Sequence, residues 1–157
     1  MNEDGGGLKN IYLDVCTLCR PYDDQTYSRI HLETTAVRLI LSAAENGRYQ
    51  LIWSPVHIKE IEATTDEMER AELLYLIERT LGKAAVIIID KKTTRTRAEY
   101  LTTLGFGIAD AAHFAYSEAF GAELITCDDK FAKKSKLVKP AHWVGNPVAF
   151  CEKEELL

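Results

Sequence analysis

Residues 107–131 read GIADAAHFAYSEAFGAELITCDDKF, and the fold is decided by how this stretch is divided. Residues 108–120 have the pattern of a helix, and Gly121 stops it. Residues 123–127 follow as a short apolar strand, and that strand runs directly into Asp128 and Asp129. Asp110 falls in the first turn of the helix between Ala109, Ala111 and Ala112. An acid on so small and apolar a face is costly to bury unless it is paired or faces a cation.

The same alternation extends outward in both directions. Residues 10–15 (NIYLDV) are a short run rich in strand formers. Residues 27–45 carry Ile30, Val37, Ile40, Leu41 and Ala44 at helical spacing, and Asn46-Gly47 ends them. Residues 49–53 read as a second strand. Ser54-Pro55 then supplies an N-cap and a proline at the first helical position, opening a helix through Ile61. Thr64 with Glu67 forms a capping box for a helix to Leu81, closed by Gly82. Residues 85–89 are an unbroken apolar run, as expected of a strand buried on both faces. A helix over 94–104 ends at Gly105, and residues 142–144 form a last short strand.

Strands alternating with helices predict a three-layer α/β/α domain with a mostly parallel sheet of about five strands. It occupies residues 8–157, behind a floppy, polar, glycine-rich leader over residues 1–7. The chain has 157 residues, 46% apolar and 27% charged, which suits one domain with a proper core. The leader lacks the basic start and apolar stretch of a signal peptide. No apolar run approaches the roughly 20 residues needed to span a bilayer. The expectation is a cytoplasmic protein with no membrane association, whose four cysteines form no disulfide framework.

A net charge of −5 makes general nucleic-acid affinity poor, because affinity for phosphate comes from Lys and Arg. Any nucleic-acid reading therefore needs local basic patches. Residues 91–97 carry two Lys and two Arg without an acid, and residues 128–140 carry five Lys against two Asp.

In open parallel sheets the site lies beyond the carboxyl ends of the strands. Asp14 leaves the first strand there, and Asp128 and Asp129 leave the strand over 123–127. Glu60 lies on the helix after the second strand, between Ile58 and Ile61. Each acid taken singly has a structural reading, as a helix cap, a turn residue or a complement to a helix dipole. Four acids arriving at sheet ends and adjoining helices point instead to a shared site.

Together IYLDVCTL, SPVHIKEIE, residues 107–131 and GNPVAF resemble a PIN domain, and more narrowly the VapC-type toxins of toxin–antitoxin pairs. The most specific part is an acid in a small-residue helix, a glycine turn, and a strand ending in Thr-x-Asp-x-x-Phe, here Thr126 to Phe131. The resemblance implies an endoribonuclease whose acidic quartet is Asp14, Glu60, Asp110 and Asp128, with Thr126 as its hydroxyl and Asp129 as an auxiliary acid. It implies Mg²⁺ or Mn²⁺ held by Asp14, Asp110, Asp128 and Glu60, which suits an all-oxygen donor set. It also implies an RNA substrate, a cognate antitoxin and a homodimer. One departure is Cys16, where many members have Asn or Ser two residues after the first acid. Arg20, Lys130, Lys133 and Lys134 flank the acids and are candidate contacts to RNA phosphates. The segment Arg20-Pro21-Tyr22-Asp23-Asp24-Gln25 looks like the signature of a VapC-like subgroup, with no role assigned.

Three other readings compete. A PIN fold also serves in RNA maturation and decay without acting as a toxin, and a non-catalytic α/β module could keep the acids as a relic. Cys16 and Cys19 form a C-x-x-C after a strand, where a redox pair would sit. Against that, no β-α unit precedes the strand, and a zinc site could add only Cys127 and His113, loosely spaced. No glycine-rich phosphate loop or nucleophile elbow is present, so nucleotide binding and acyl transfer find no support.

Overall fold

Four strands among the described residues, β1 (Lys9–Leu13), β2 (Tyr49–Leu51), β3 (Glu123–Ile125) and β4 (Val144–Gly145), pair in parallel in the order β2-β1-β3-β4. The computed structural model describes residues 7–82 and 87–157. Ile11 stands opposite Leu51 on one side and Glu123 on the other, and Leu13 stands opposite Ile125. The chain leaves β1 toward β2, then returns across the sheet to β3 and continues outward to β4. The strand order therefore reverses between β1 and β3, which is where such sheets open a crevice at their carboxyl ends.

Eight α-helices among the described residues complete the fold: α1 (Val15–Leu18), α2 (Ser28–Glu45), α3 (Pro55–Glu62), α4 (Glu67–Leu81), α5 (Lys91–Thr103), α6 (Ile108–Ala119), α7 (Asp129–Leu137) and α8 (Pro147–Lys153). None is long and apolar enough to cross a membrane. The alternation within β1 explains the three layers. Ile11 and Leu13 face one side with Val37 and Ile40 of α2, Leu73 and Ile77 of α4, and Phe150 of α8. Tyr12 faces the other with Leu101 of α5, Phe114 of α6 and Phe131 of α7. Because both faces are covered, β1 reads as an apolar run and not as an alternating one. Gly105 and Gly121 adopt φ of +96° and +61°, which only glycine takes at little cost, so α5 and α6 end where their glycines place them.

The structure corrects several local expectations. The sheet has four strands among the described residues, not about five. Of the strand expected over 85–89, residues 85 and 86 lie outside the described residues, and residues 87–89 have no strand pairing, with Ile88 exposed. Residues 1–6 of the expected leader also lie outside them. Helix α4 is capped by Asp66, which accepts from the Glu69 N–H at 2.9 Å, and not by a Thr64–Glu67 box. Helix α5 begins at Lys91 because Asp90 accepts from the N–H groups of Lys92 and Thr93. Helices α7 and α8 and the short α1 were not expected.

One buried side chain fixes the carboxyl end of β1. His57 of α3 is fully buried, and its Nδ1 accepts from the Ser54 N–H at 3.0 Å. Its Nε2 donates to the Leu13 carbonyl at 2.7 Å, since a carbonyl can only accept. Burial, reinforced by neighbouring His113, pushes the His57 pKa down to about 3. Above pH 6.5 the ring is neutral in both folded and unfolded chains. As pH falls from 6.5 toward about 3, the unfolded chain takes up a proton that the native ring refuses, so stability drops. In denaturant titrations across that window, wild type is expected to lose up to about 1.4 kcal/mol per pH unit more than His57→Asn. Parallel pH profiles would contradict this.

Candidate active site

Asp14 follows β1 directly and serves as the N-cap of α1, with its side chain 3% exposed residue-wide. A charge so buried survives only with strong partners. Its Oδ1 accepts from the Thr17 N–H at 3.3 Å and from the Thr17 hydroxyl, and its Oδ2 accepts from the Thr126 hydroxyl at 2.6 Å. Burial raises the Asp14 pKa, and the Thr126 and Thr17 hydrogen bonds oppose that shift. Thr126, at the end of β3, also accepts from the Asp128 N–H at 3.1 Å. One hydroxyl thus ties the first acid to the turn that carries the last. Asp128 is exposed and caps α7, accepting from the N–H groups of Lys130 and Phe131 through Oδ1.

Asp110, half-buried in the first turn of α6, makes no hydrogen bond among the described residues. Its pKa is raised first by burial and then by the negative charges of Asp128, Asp14 and Glu60. The charges of the other three expected acids are thus felt at Asp110, which His113 partly offsets. Glu60 reaches the crevice from α3, where its Oε1 pairs with His113 Nε2.

His113 stands one turn after Asp110 on α6 and is 2% exposed. Its Nδ1 lies 2.6 Å from the Tyr12 hydroxyl, which lies 2.8 Å from Ser54 Oγ. A buried polar chain therefore crosses the layer between sheet and helix and ends on Glu60. Tyr12 was not singled out in the sequence, Ser54 was read there only as a helix N-cap, and His113 as a loosely spaced zinc candidate. Thr17 was also passed over, with attention on Cys16. The Cys16 thiol does reach Asp14 Oδ1 at 3.4 Å, but Thr17 supplies the closer contact and accepts from the Cys127 N–H at 2.9 Å.

The flanking residues divide. Asp129 makes a two-pronged ion pair with Arg29, both contacts at 2.7 Å, and that pairing lowers its pKa. Its carboxylate is thus committed to Arg29, which was not anticipated. Arg20 donates from Nε to Glu33 at 3.0 Å and from Nη1 to Asp23 at 3.0 Å, so its guanidinium braces the loop before α2. Tyr22 donates to Glu72, and Gln25 Nε2 donates to the Arg20 and Asp23 carbonyls, which gives the unassigned Arg20–Gln25 segment a structural role. Lys134 Nζ donates to the Gly105 carbonyl at 2.7 Å, tying α7 to the α5–α6 turn. Lys130 and Lys133 are exposed.

The redox alternative finds no geometry. All four cysteines are free thiols. Burial pushes Cys19 up to about 12, with Glu69 adding to the shift, and burial with neighbouring Asp14 pushes Cys16 up as well. A redox pair needs the opposite, a thiol with a depressed pKa.

Among the described residues, no three His, Cys, Asp or Glu side chains stand close enough to enclose an ion directly. This rules against the closed tetrahedron of a structural zinc site. Mg²⁺ commonly keeps several waters and takes only one or two carboxylates. An all-oxygen set of carboxylates, with Asp110 among them making no hydrogen bond among the described residues, fits a cation held in that manner.

Comparison with curated proteins finds no match. The crystal structure of FitAcB from Neisseria gonorrhoeae shares the fold, with a TM-score of 0.53 and 16% sequence identity over 87% of this chain and 97% of that one. The PIN domain family matches residues 26–137, which include Glu60, Asp110, Thr126 and Asp128, while Asp14 precedes them. PIN domains are generally nucleases that use divalent metal ions. That match covers more than two thirds of the sequence, and the chain belongs to the PIN domain family.

Proposed function

We propose that this protein is a metal-dependent endoribonuclease that hydrolyses RNA phosphodiester bonds at Asp14, Glu60, Asp110 and Asp128. The observation that supports the reading is that Asp14, after β1, and Asp128, after β3, are tied through the Thr126 hydroxyl where the strand order reverses. Asp14, Asp110 and Asp128 would hold Mg²⁺ or Mn²⁺, in part through water, with Glu60 as a further ligand or as the base that orients the attacking water. Such an ion polarises the scissile phosphate and lowers the pKa of a bound water. Thr126 and Thr17 hold Asp14 in place, and their hydroxyls, donating to its charged form, oppose the rise in pKa that burial causes.

The resemblance to VapC-type toxins, together with the fold shared with FitAcB, supports a narrower role as the cytoplasmic toxin of a toxin–antitoxin pair. In that role the protein has an antitoxin partner and forms a homodimer. Lys130 and Lys133, exposed at the start of α7 beside Asp128, are the RNA-contacting lysines of this reading, with Lys134 held by Gly105.

Purified protein is expected to cut a mixed pool of structured RNA only with Mn²⁺ or Mg²⁺, and EDTA stops it. An Asp14→Asn, Asp128→Asn variant prepared identically loses at least about 100-fold in rate. Asparagine caps α7 as well as aspartate does, and matching circular dichroism and melting curves check that the substitution at buried Asp14 leaves the variant folded. Equal cutting by variant and wild type would refute the site. Lys130→Gln with Lys133→Gln is expected to weaken RNA binding. It should also flatten the slope of log affinity against log salt by about 1.5, as two lost phosphate contacts require. An unchanged slope removes these lysines from the RNA groove.

A further inference from the structure

Two buried histidines stand side by side beneath the crevice, their ring centroids 5.1 Å apart, and they end differently. His57 spends both nitrogens on backbone groups, as a core histidine does. His113 spends neither. Its Nδ1 meets the Tyr12 hydroxyl, and its Nε2 meets Glu60, whose side chain is 37% exposed.

The proton positions follow from the partners. A carboxylate accepts, so Nε2 of His113 carries the hydrogen, and in that single-proton tautomer Nδ1 accepts from the Tyr12 hydroxyl. The Tyr12 oxygen then accepts from Ser54 Oγ–H at 2.8 Å. Each link from Ser54 through Tyr12 and His113 to Glu60 Oε1 then has one donor and one acceptor. The anchored end lies in the core, since Tyr12 belongs to β1 and Ser54 caps α3. The free end is a carboxylate that shares its crevice with Asp110, one turn earlier on the same helix face as His113. Glu60 Oε2 makes no hydrogen bond among the described residues.

We propose that His113 is a positioning residue for Glu60: the chain Ser54–Tyr12–His113 fixes the ring so that Nε2–H holds Oε1 and leaves Oε2 for the bound cation or its water. The proposal rests on the reading of the acids as a metal-dependent nuclease site. Groups that orient metal ligands in this way typically carry 10–100-fold in affinity or activity.

The test uses the full chain and the variants His113→Leu, His113→Gln and Tyr12→Phe. Mn²⁺ affinity is measured by calorimetry, and RNA cleavage is resolved into kcat and KM. His113→Leu is expected to bind Mn²⁺ about 10–100-fold more weakly and to lose kcat with KM for RNA little changed. His113→Gln, which keeps an N–H near the position of Nε2, recovers most of both, and Tyr12→Phe shows a smaller loss than His113→Leu. In metal-free wild type, long-range ¹H–¹⁵N spectra show His113 as the Nε2–H tautomer, with its signals moved by Glu60→Gln.

A folded His113→Leu with wild-type affinity and kcat overturns the proposal, and so does an Nδ1–H tautomer. If His113→Leu fails to fold, Tyr12→Phe equal to wild type, or spectra indifferent to Glu60→Gln, overturn it instead. Wild type that neither binds Mn²⁺ nor cuts RNA removes the nuclease reading itself, and this proposal with it.

Discussion

Asp14 ends the central strand with almost no access to water, and the rest of the crevice is arranged around keeping its charge there. Moving a carboxylate into such a place costs several kcal/mol before any partner is counted. Hydrogen bonds to a charged group return about 1.5–3 kcal/mol each, so the Thr17 and Thr126 hydroxyls together can offset most of that. Thr126 directly follows β3, and Thr17 lies in the helical turn after β1. The same bonds that retain the charge therefore lock the two strands in register where their order reverses. Removing either hydroxyl would loosen the strand pair and the acid at once.

From that point the crevice is built outward by elements with little freedom. Helix α6 crosses behind β1 and β3 through Phe114 and Ala111, and this packing presents Asp110 to Asp14. Helix α3 is pinned to β1 by His57, and its Glu60 is held through His113 by β1 itself. Asp128 caps α7, so the helix N–H groups draw on one oxygen and leave the other. The Arg29–Asp129 pair closes the outer side and neutralises the nearest spare acid, which limits the negative charge an approaching phosphate meets.

What the sequence disclosed follows from how local each signal is. Strand and helix alternation, the glycines at 105 and 121, and acids at the ends of β1 and β3 are all readable within a few residues. Helix α7 was hidden because its lysines dominate and only Phe131 and Ser135 turn inward. Helix α4 was read with the wrong cap because Thr64 and Asp66 both offer capping oxygens. The pairs that decide each side chain's use were not legible. Arg29 meets Asp129 across 100 residues, and Tyr12 meets His113 across 101. Nothing near Arg20 in the chain shows that Glu33, buried one helical turn past Arg29, takes its guanidinium. Cys16 drew attention as a departure from the PIN pattern, while Thr17, one residue on, holds Asp14 more closely.

The central claim is that the acids at the β1–β3 switch point form one cation site. Crystals grown with Mn²⁺ and measured at the manganese absorption edge test it without any RNA substrate. The account predicts an anomalous peak in the crevice among the carboxylates of Asp14, Asp110 and Asp128. It also predicts that the peak disappears in Asp14→Asn, Asp128→Asn crystals of the same form. Saturating Mn²⁺ with no peak there, or a peak indifferent to the substitutions, would contradict it.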